Sequence, residues 1–107
     1  MLFSSDEVNQ ILGLINWNNL DKDQLNFKGV SIDSRTLLSE DLFVAIEGKN
    51  FDGHNFLEEV FNKNIKAVVI SKKYINLVPN NCAYWAVTDT LEAFHELVLV
   101  RLSLIHI

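Results

Sequence analysis

The segment from Gly29 to His54 constrains the fold most, because two short apolar runs in it are separated by polar turn residues and followed by glycines. Ile32 lies in the first run, and Leu42–Ile46 is apolar on both faces and too short for a helix. Gly48 and Gly53 predict a loop that opens a helix. The segment therefore predicts a strand, a turn, a buried strand, a loop and a helix start.

Four apolar segments along the chain predict β-strands, namely Leu25–Asp33, Leu42–Ile46, Ala67–Ile70 and Tyr84–Val87. Gly29 predicts a bulge in the first of them. A helix between the second and third strands begins at Asp52 or Asn55 and ends at Asn64, which we expect in the left-handed conformation. Because strand, helix and strand in this order imply a right-handed parallel crossover, we expect an α/β fold. The prediction is a small mixed sheet flanked by helices.

Two further helices are predicted near the ends of the chain. Ser4 or Ser5 caps the first, and the polar run after it brings Trp17 and Leu20 back as core or cover. Thr88–Thr90 caps the closing helix, and Lys72–Asn81 reads as a surface connection.

Composition limits the classes of function that this chain of 107 residues can have. A net charge of −5 and a pI near 5.0 argue against general nucleic-acid binding, which needs clustered lysine and arginine. No apolar run approaches the ~20 residues of a membrane span, and the N-terminus has no signal-peptide pattern. Cys82 stands alone, which excludes an internal disulfide and fits a reducing compartment. We therefore expect a single-domain cytoplasmic protein.

Polar residues collect where the first two strands of the central segment end. Asp33, Ser34 and Arg35 follow the first strand, and the loop after the second holds the polar residues Lys49, Asn50, Asp52 and His54. Since parallel strands end at a common edge, this pattern predicts a binding edge. The alternatives are a strand-ending turn at Asp33–Arg35 that satisfies its own backbone, and a helix-capping role for His54.

Residue types give no sign of a catalytic centre. His54, His95, His106 and Cys82 lack the spacing of a zinc site, and the carboxylates form no pair with a nucleophile. The Gly48–Asn50 segment is not a phosphate-binding loop, because no Ser or Thr follows Lys49. The residues alone therefore predict a binding domain with no catalytic or metal-binding residues.

Three segments in register resemble the N-terminal domain of the Mur ligases, the cytoplasmic ATP-dependent bacterial enzymes that build the peptidoglycan stem peptide. They are Asp33–Arg35, Asp41–Ala45 and Gly48–His54. Lys66–Val69 and Val87–Leu91 extend the resemblance to residues 1–101. Within the family, Gly48–Phe56 and Asp89–Leu91 are most similar to the ligase that adds D-alanyl-D-alanine to the UDP-N-acetylmuramoyl tripeptide. The ligase that adds the third amino acid is the alternative, and a non-enzymatic module that binds a partner protein is a further one.

The resemblance implies that the domain holds the uridine-diphosphate end of a UDP-N-acetylmuramoyl peptide. The contacts would come from Ile32, Ser34, Lys49, Asn50 and Phe51, while Asp33, Arg35, Asp52 and His54 would hold the loops. ATP and magnesium would belong to a central domain and a third, C-terminal domain that this chain lacks, so the fragment would catalyse nothing alone.

Three local features depart from the family pattern. Glu40 and Asn64 stand where turn glycines are usual, which alters the turns without removing the binding edge. Residues 102–107 match one reading frame of a transposon end used in sequencing libraries, so we expect a non-native read-through tail. The alternative is a native apolar helix end.

Overall fold

The computed structural model describes residues 3–13 and 25–105, with side chains described as far as residue 99. The predicted return of Trp17 and Leu20 to the core lies outside the described residues. The elements in chain order are β1 (Phe3–Ser4), α1 (Ser5–Leu12), β2 (Asn26–Phe27), β3 (Gly29–Ser31), β4 (Asp41–Val44), α2 (Leu57–Phe61), β5 (Ala67–Ser71), β6 (Ala83–Val87) and α3 (Thr90–Ile105). Short 3-10 helices cover Gly53–Phe56 and Lys72–Leu77.

The main sheet has the strand order β3-β4-β5-β6, and all its neighbouring strands are parallel. Antiparallel pairing joins β1 to β2 in a separate two-stranded sheet. The predicted α/β class, with a small sheet flanked by helices, is confirmed. The main sheet is parallel and not mixed as predicted, because the antiparallel pair β1–β2 forms a sheet of its own. Because the strands run parallel, their carboxyl ends form one edge of the sheet, and the loops after β3 and β4 share it.

Helices cover both faces of the main sheet, as the alternation of side chains along the strands requires. Leu42 and Val44 face α1 and α3, whereas Phe43 faces α2. Every residue of β5 is buried. Fully burying one Val, Leu or Phe side chain stabilises a fold by ~1.5–3 kcal/mol. The apolar packing on the two faces of the sheet therefore holds the sheet and the helices together.

Trp85 joins β6 to α1. Its indole Nε1–H donates to Asn9 Oδ1 at 2.9 Å and to the Gly13 carbonyl at 3.1 Å. Gly13 ends the helix with φ at 93°, a value that suits glycine. At the other end, Ser4 and Glu7 form the reciprocal hydrogen bonds of a capping box, which confirms the predicted helix start.

The segment predicted as one strand over Leu25–Asp33 is two strands in different sheets, so that prediction is wrong. The chain turns at Lys28, whose N–H donates to the Glu40 carbonyl at 2.9 Å. The residues before the turn pair with β1 and those after it pair with β4. Gly29 is the first residue of β3, where a Cβ would lie 3.0 Å from Asp41 Oδ1. Ile32 leaves the strand and is 40% exposed.

The turns later in the chain follow the prediction more closely. Asn64 has φ at 60°, which confirms its left-handed conformation. Asp89 Oδ1 accepts from the Glu92 N–H at 3.1 Å, as a helix cap does. The connection after β5 contains a 3-10 helix that the sequence did not predict. Among the described helices, none has the length and apolar character needed to cross a bilayer.

Cys82 lies inside the core, with 1% of its surface exposed. Its Sγ–H donates to the Ala83 carbonyl at 3.3 Å. Burial raises the pKa of the Cys82 thiol to about 12. The thiol is therefore protonated and inaccessible at neutral pH. α3 continues to Ile105, and the origin of residues 102–107 stays a prediction.

Candidate ligand-binding groove

A groove opens where the residues after β3 meet the loop after β4, at the carboxyl edge of the sheet. Its volume is about 770 Å³, within the range of roughly 300–1,000 Å³ common for small-molecule sites. Part of α2 and the 3-10 turn before it close the far side. The lining residues are Ile32, Asp33, Ser34, Arg35, Phe51, Phe56 and Glu59.

Apolar side chains form one half of the groove. Phe51 and Phe56 are stacked, with ring centroids 5.8 Å apart and an interplanar angle of 23°. Both rings remain accessible, since Phe51 is 51% exposed and Phe56 is 40% exposed. Ile32 adds an aliphatic surface on the β3 side. Exposed aromatic rings in a concave site suit a flat apolar group.

Polar groups form the other half of the groove. Ser34 is 5% exposed, and its Oγ–H donates to Glu59 Oε2 at 3.3 Å. Lys63 Nζ donates to the Ser34 carbonyl and so fixes the backbone at this point. The Ser34 hydroxyl is thus held in position at the groove by a carboxylate from α2.

Asp33 and Arg35 are paired with each other at the mouth of the groove. Arg35 Nε donates to Asp33 Oδ1 and Nη2 donates to Oδ2, each at 3.1 Å. The Arg35 backbone N–H donates to Asp33 Oδ1 at 2.9 Å. The side-chain and backbone hydrogen bonds from Arg35 lower the pKa of Asp33 below its ordinary value. The carboxylate is therefore ionised at neutral pH and accepts three hydrogen bonds from one neighbour.

A second group of polar residues, here called the anchor cluster, lies beneath the same loop and consists of Asp52, His54, Ser71 and Tyr74. Asp52 Oδ1 accepts from the His54 backbone N–H at 2.9 Å and lies 2.6 Å from His54 Nδ1. His54 Nε2 accepts from the Ser71 N–H at 3.0 Å. Since Nε2 is the acceptor, the ring hydrogen is on Nδ1 and the imidazole is neutral.

Tyr74 completes the anchor cluster. Its hydroxyl donates to Asp52 Oδ2 at 3.2 Å, and its ring lies 4.1 Å from the His54 ring. Burial favours a higher pKa for Asp52, but the hydrogen bonds from His54 and Tyr74 outweigh it and lower the pKa overall. Gly53 lies between Asp52 and His54, and a Cβ there would be 3.0 Å from both Ala45 Cα and Ile46 N. The close approach to the end of β4 therefore requires glycine.

Comparison with known proteins places this architecture in a family. A family profile described as "Mur ligase family, catalytic domain" matches residues 26–101. The chain belongs to the Mur ligase family.

Relatives of this Mur ligase chain include two different ligases. A UDP-N-acetylmuramoyl-tripeptide–D-alanyl-D-alanine ligase of Bacillus subtilis (strain 168) is 37% identical over 81 residues, covering 76% of this chain and 18% of that protein. A UDP-N-acetylmuramoyl-L-alanyl-D-glutamate–2,6-diaminopimelate ligase of Rickettsia felis is 36% identical over 73 residues, covering 68% of this chain and 13% of that protein. The chain thus spans less than a fifth of the length of these two curated relatives.

A solved structure has the same fold as this Mur ligase chain. A crystal structure of MurF from Acinetobacter baumannii superimposes with a TM-score of 0.71 and 22% sequence identity, covering 91% of this chain and 20% of that one. The similarity includes the parallel sheet and its flanking helices.

The structure brings together five of the residues that the sequence predicted for the binding edge. Ile32, Ser34 and Phe51, which were predicted as ligand contacts, line the groove, and so do Asp33 and Arg35, which were predicted to hold the loops. Their roles in binding stay predictions. Lys49 and Asn50 are exposed and lie outside the lining, so their predicted role as contacts stays a prediction. Asp52 and His54, predicted to hold the loop, form the anchor cluster instead of lining the groove.

Two lining residues of the Mur ligase groove were not predicted, namely Phe56 and Glu59. In the sequence, Phe56 belongs to the apolar pattern of the helix that follows the loop, and Glu59 is one of two adjacent carboxylates on that helix. A spacing of three residues places them on the same side of a helical turn. That spacing, together with the aromatic Phe51 in the preceding loop, is the sequence signal that could have identified Phe56 and Glu59.

Glu47, Asp52 and His54 offer ligand atoms that lie within 4.8 Å of one another, the arrangement of a candidate metal site. Both ring nitrogens of His54 already take part in hydrogen bonds, to Asp52 and Ser71. Glu47 Oε1 accepts from Lys73 Nζ at 2.9 Å. The candidate ligand atoms of His54 and Glu47 are therefore already engaged in hydrogen bonds, His54 with Asp52 and Ser71 and Glu47 with Lys73.

Proposed function

We propose that this chain is the substrate-binding domain, residues 1–101, of a cytoplasmic Mur ligase that joins D-alanyl-D-alanine to a UDP-N-acetylmuramoyl tripeptide in peptidoglycan synthesis. The observation that carries the proposal is the convergence of Ile32, Ser34 and Phe51 on one groove. Ile32 and Ser34 follow one strand and Phe51 follows the next, and the resemblance to the Mur ligases implies substrate contacts for all three. The ligase from Bacillus subtilis, whose name includes this reaction, supports the same step.

A binding role fits the groove better than a catalytic one, although the matching family profile carries the words catalytic domain. The groove offers aromatic surface, one held hydroxyl and an internally paired aspartate and arginine. Such groups recognise a ligand without activating a nucleophile. In the parent enzyme, ATP and magnesium would be bound by the central and C-terminal domains, and the ligand held here would be the UDP-N-acetylmuramoyl peptide.

A second candidate function is the preceding step, addition of the third amino acid of the stem peptide. The relative from Rickettsia felis, a 2,6-diaminopimelate ligase, supports it at nearly the same identity. Both enzymes would hold the same uridine-diphosphate end, so binding by this domain does not separate them. An activity assay of the parent enzyme with either D-alanyl-D-alanine or 2,6-diaminopimelate as the added substrate would separate the two steps.

The proposal is tested by titrating the 107-residue chain with UDP-N-acetylmuramoyl tripeptide in saturation-transfer and chemical-shift NMR. We expect saturable binding with shifts at Ser34 and Phe51. Ser34→Ala should weaken binding by about 1 kcal/mol, roughly fivefold, because one neutral hydrogen bond is lost. Ser39→Ala is the matched control, since Ser39 is exposed and outside the groove.

Each negative result has its own meaning. Unchanged affinity of a folded Ser34→Ala variant would remove Ser34 from the site. Absence of any binding would overturn the proposed function and favour a module that binds a partner protein instead.

A further inference from the structure

The charges in the groove do not favour a phosphate group inside it. Its lining carries two carboxylates, Asp33 and Glu59, and one guanidinium, Arg35. Arg35 is already bound through two nitrogens to Asp33. Lys63 Nζ, close behind, is held by the backbone carbonyls of Ser34 and Arg35. With Lys63 counted, the two positive and two negative charges at the groove cancel. Both cations are already held by hydrogen bonds, Arg35 by Asp33 and Lys63 by backbone carbonyls, so a diphosphate would gain little here and the groove favours a neutral group.

Glu59 gives the lining of the groove a charged hydrogen-bond acceptor. Its Oε2 accepts from Ser34 Oγ–H at 3.3 Å, which fixes the orientation of the carboxylate. An ionised carboxylate has two oxygens and about four lone-pair sites, so one hydrogen bond from Ser34 leaves acceptor capacity. A hydrogen bond to a charged acceptor is stronger than one between neutral groups.

The aromatic half of the groove defines the shape of the group that Glu59 would meet. The accessible rings of Phe51 and Phe56 provide a surface for a planar ring, and stacking of a base on an aromatic side chain stabilises binding. A flat neutral ring with an N–H donor at its edge satisfies both halves. In a uridine nucleotide that ring is uracil, and its donor is the imide N3–H.

We propose that Glu59 is the residue that determines specificity for the base, and that its carboxylate accepts the N3–H of uracil packed against Phe51. The diphosphate then lies outside the groove. This inference rests on the proposed function, because it takes a uridine nucleotide as the ligand. It adds a residue and a direction of binding that the proposed function does not require.

The test compares uridine, 3-methyluridine and UDP as ligands of the 107-residue chain, with dissociation constants measured by NMR titration. In the unmodified chain, 3-methyluridine should bind at least about tenfold more weakly than uridine, because the donor to a charged acceptor is gone. UDP should bind within about threefold of uridine, since its phosphates gain little from the groove.

Substitutions at Glu59 provide the second arm of the test. Glu59→Ala should lower uridine affinity about tenfold and abolish the discrimination against 3-methyluridine. Glu59→Gln should restore part of both, because an amide oxygen is a weaker acceptor at the same place. Glu58→Gln is the matched control, since Glu58 is exposed on the same helix but outside the groove lining.

The outcomes separate this inference from the proposed function. Equal binding of uridine and 3-methyluridine, or discrimination that persists in Glu59→Ala, overturns the role of Glu59 while binding of UDP-N-acetylmuramoyl tripeptide stands. Binding of UDP without binding of uridine overturns the placement of the diphosphate outside the groove. If uridine and UDP do not bind while UDP-N-acetylmuramoyl tripeptide does, the inference alone fails. If the tripeptide does not bind either, the proposed function fails with it.

Discussion

The groove and the anchor cluster use adjacent residues of one loop for opposite purposes. Phe51 is 51% exposed and faces the groove, whereas His54, three residues later, is 5% exposed. The groove leaves surface uncovered, and the cluster satisfies the polar groups that it buries. The exposed ring keeps its position because the residues that follow it are fixed to β5 through Ser71. A loop can therefore present an apolar ligand surface when its next few residues are locked by buried hydrogen bonds.

The largest effect should come from breaking the anchor cluster. His54→Ala leaves the buried Ser71 N–H without its acceptor and Asp52 without the ring donor. We expect the free energy of unfolding to fall by about 2–3 kcal/mol, measured by urea denaturation. His95→Ala, at an exposed position on α3, should change it by less than about 0.5 kcal/mol. Equal losses in the two variants would mean that the cluster does not stabilise the loop.

A change confined to the groove should affect binding and leave stability nearly unchanged. Phe51→Ala removes a stacking surface, so affinity for UDP-N-acetylmuramoyl tripeptide should fall by about 1–2 kcal/mol. Leu38→Ala is the control, because Leu38 is 68% exposed and lies outside the groove lining. Calorimetric titration measures the affinity. A large loss of stability in Phe51→Ala would contradict the separation of the two regions.

The smallest effect should be the contribution of Asp33 and Asp52 to the pH dependence of the unfolding free energy. The pKa of Asp33 and the pKa of Asp52 are both lowered in the folded chain, from an ordinary value of 3.8. A lowered folded-state pKa stabilises the fold above the unfolded pKa, and that stabilisation is lost as pH falls through the folded value.

Asp52→Asn should therefore flatten the fall in unfolding free energy between roughly pH 5 and pH 2. Asp33→Asn should flatten it less, since the Asp33–Arg35 pair is solvent-exposed and screened. Urea denaturation at a series of pH values compares the two variants. If Asp33→Asn flattened the pH dependence of the unfolding free energy more than Asp52→Asn does, Asp33 and not Asp52 would be the aspartate that contributes more to stability.

Local patterns in the sequence predicted most of the fold. The buried runs of β4 and β5, the cap at Ser4 and the left-handed Asn64 depend on neighbouring residues, and these predictions are confirmed. The break at Lys28 was missed because it depends on pairing partners far along the chain. The segment Leu25–Asp33 looks continuous in the sequence, but its first half pairs with β1 and its second half pairs with β4.

The candidate site was predicted in part for the same reason. Residues at the strand ends, such as Ser34 and Phe51, follow from the rule that parallel strands end at one edge. Glu59 lines the groove from α2, and which side of that helix faces the groove depends on how α2 packs. Phe51 is exposed and His54 is buried because His54 accepts a hydrogen bond from the Ser71 N–H. No local pattern in the sequence reveals that bond.

The buried thiol of Cys82 makes this chain convenient for site-directed labelling. Its protonated, enclosed sulfur should resist alkylating reagents in the native state, so a cysteine introduced at exposed Lys49 would carry a fluorophore at a single place. The native thiol would then become reactive when the core opens. One molecule would thus give an optical signal from the loop after β4 and a chemical signal from the interior.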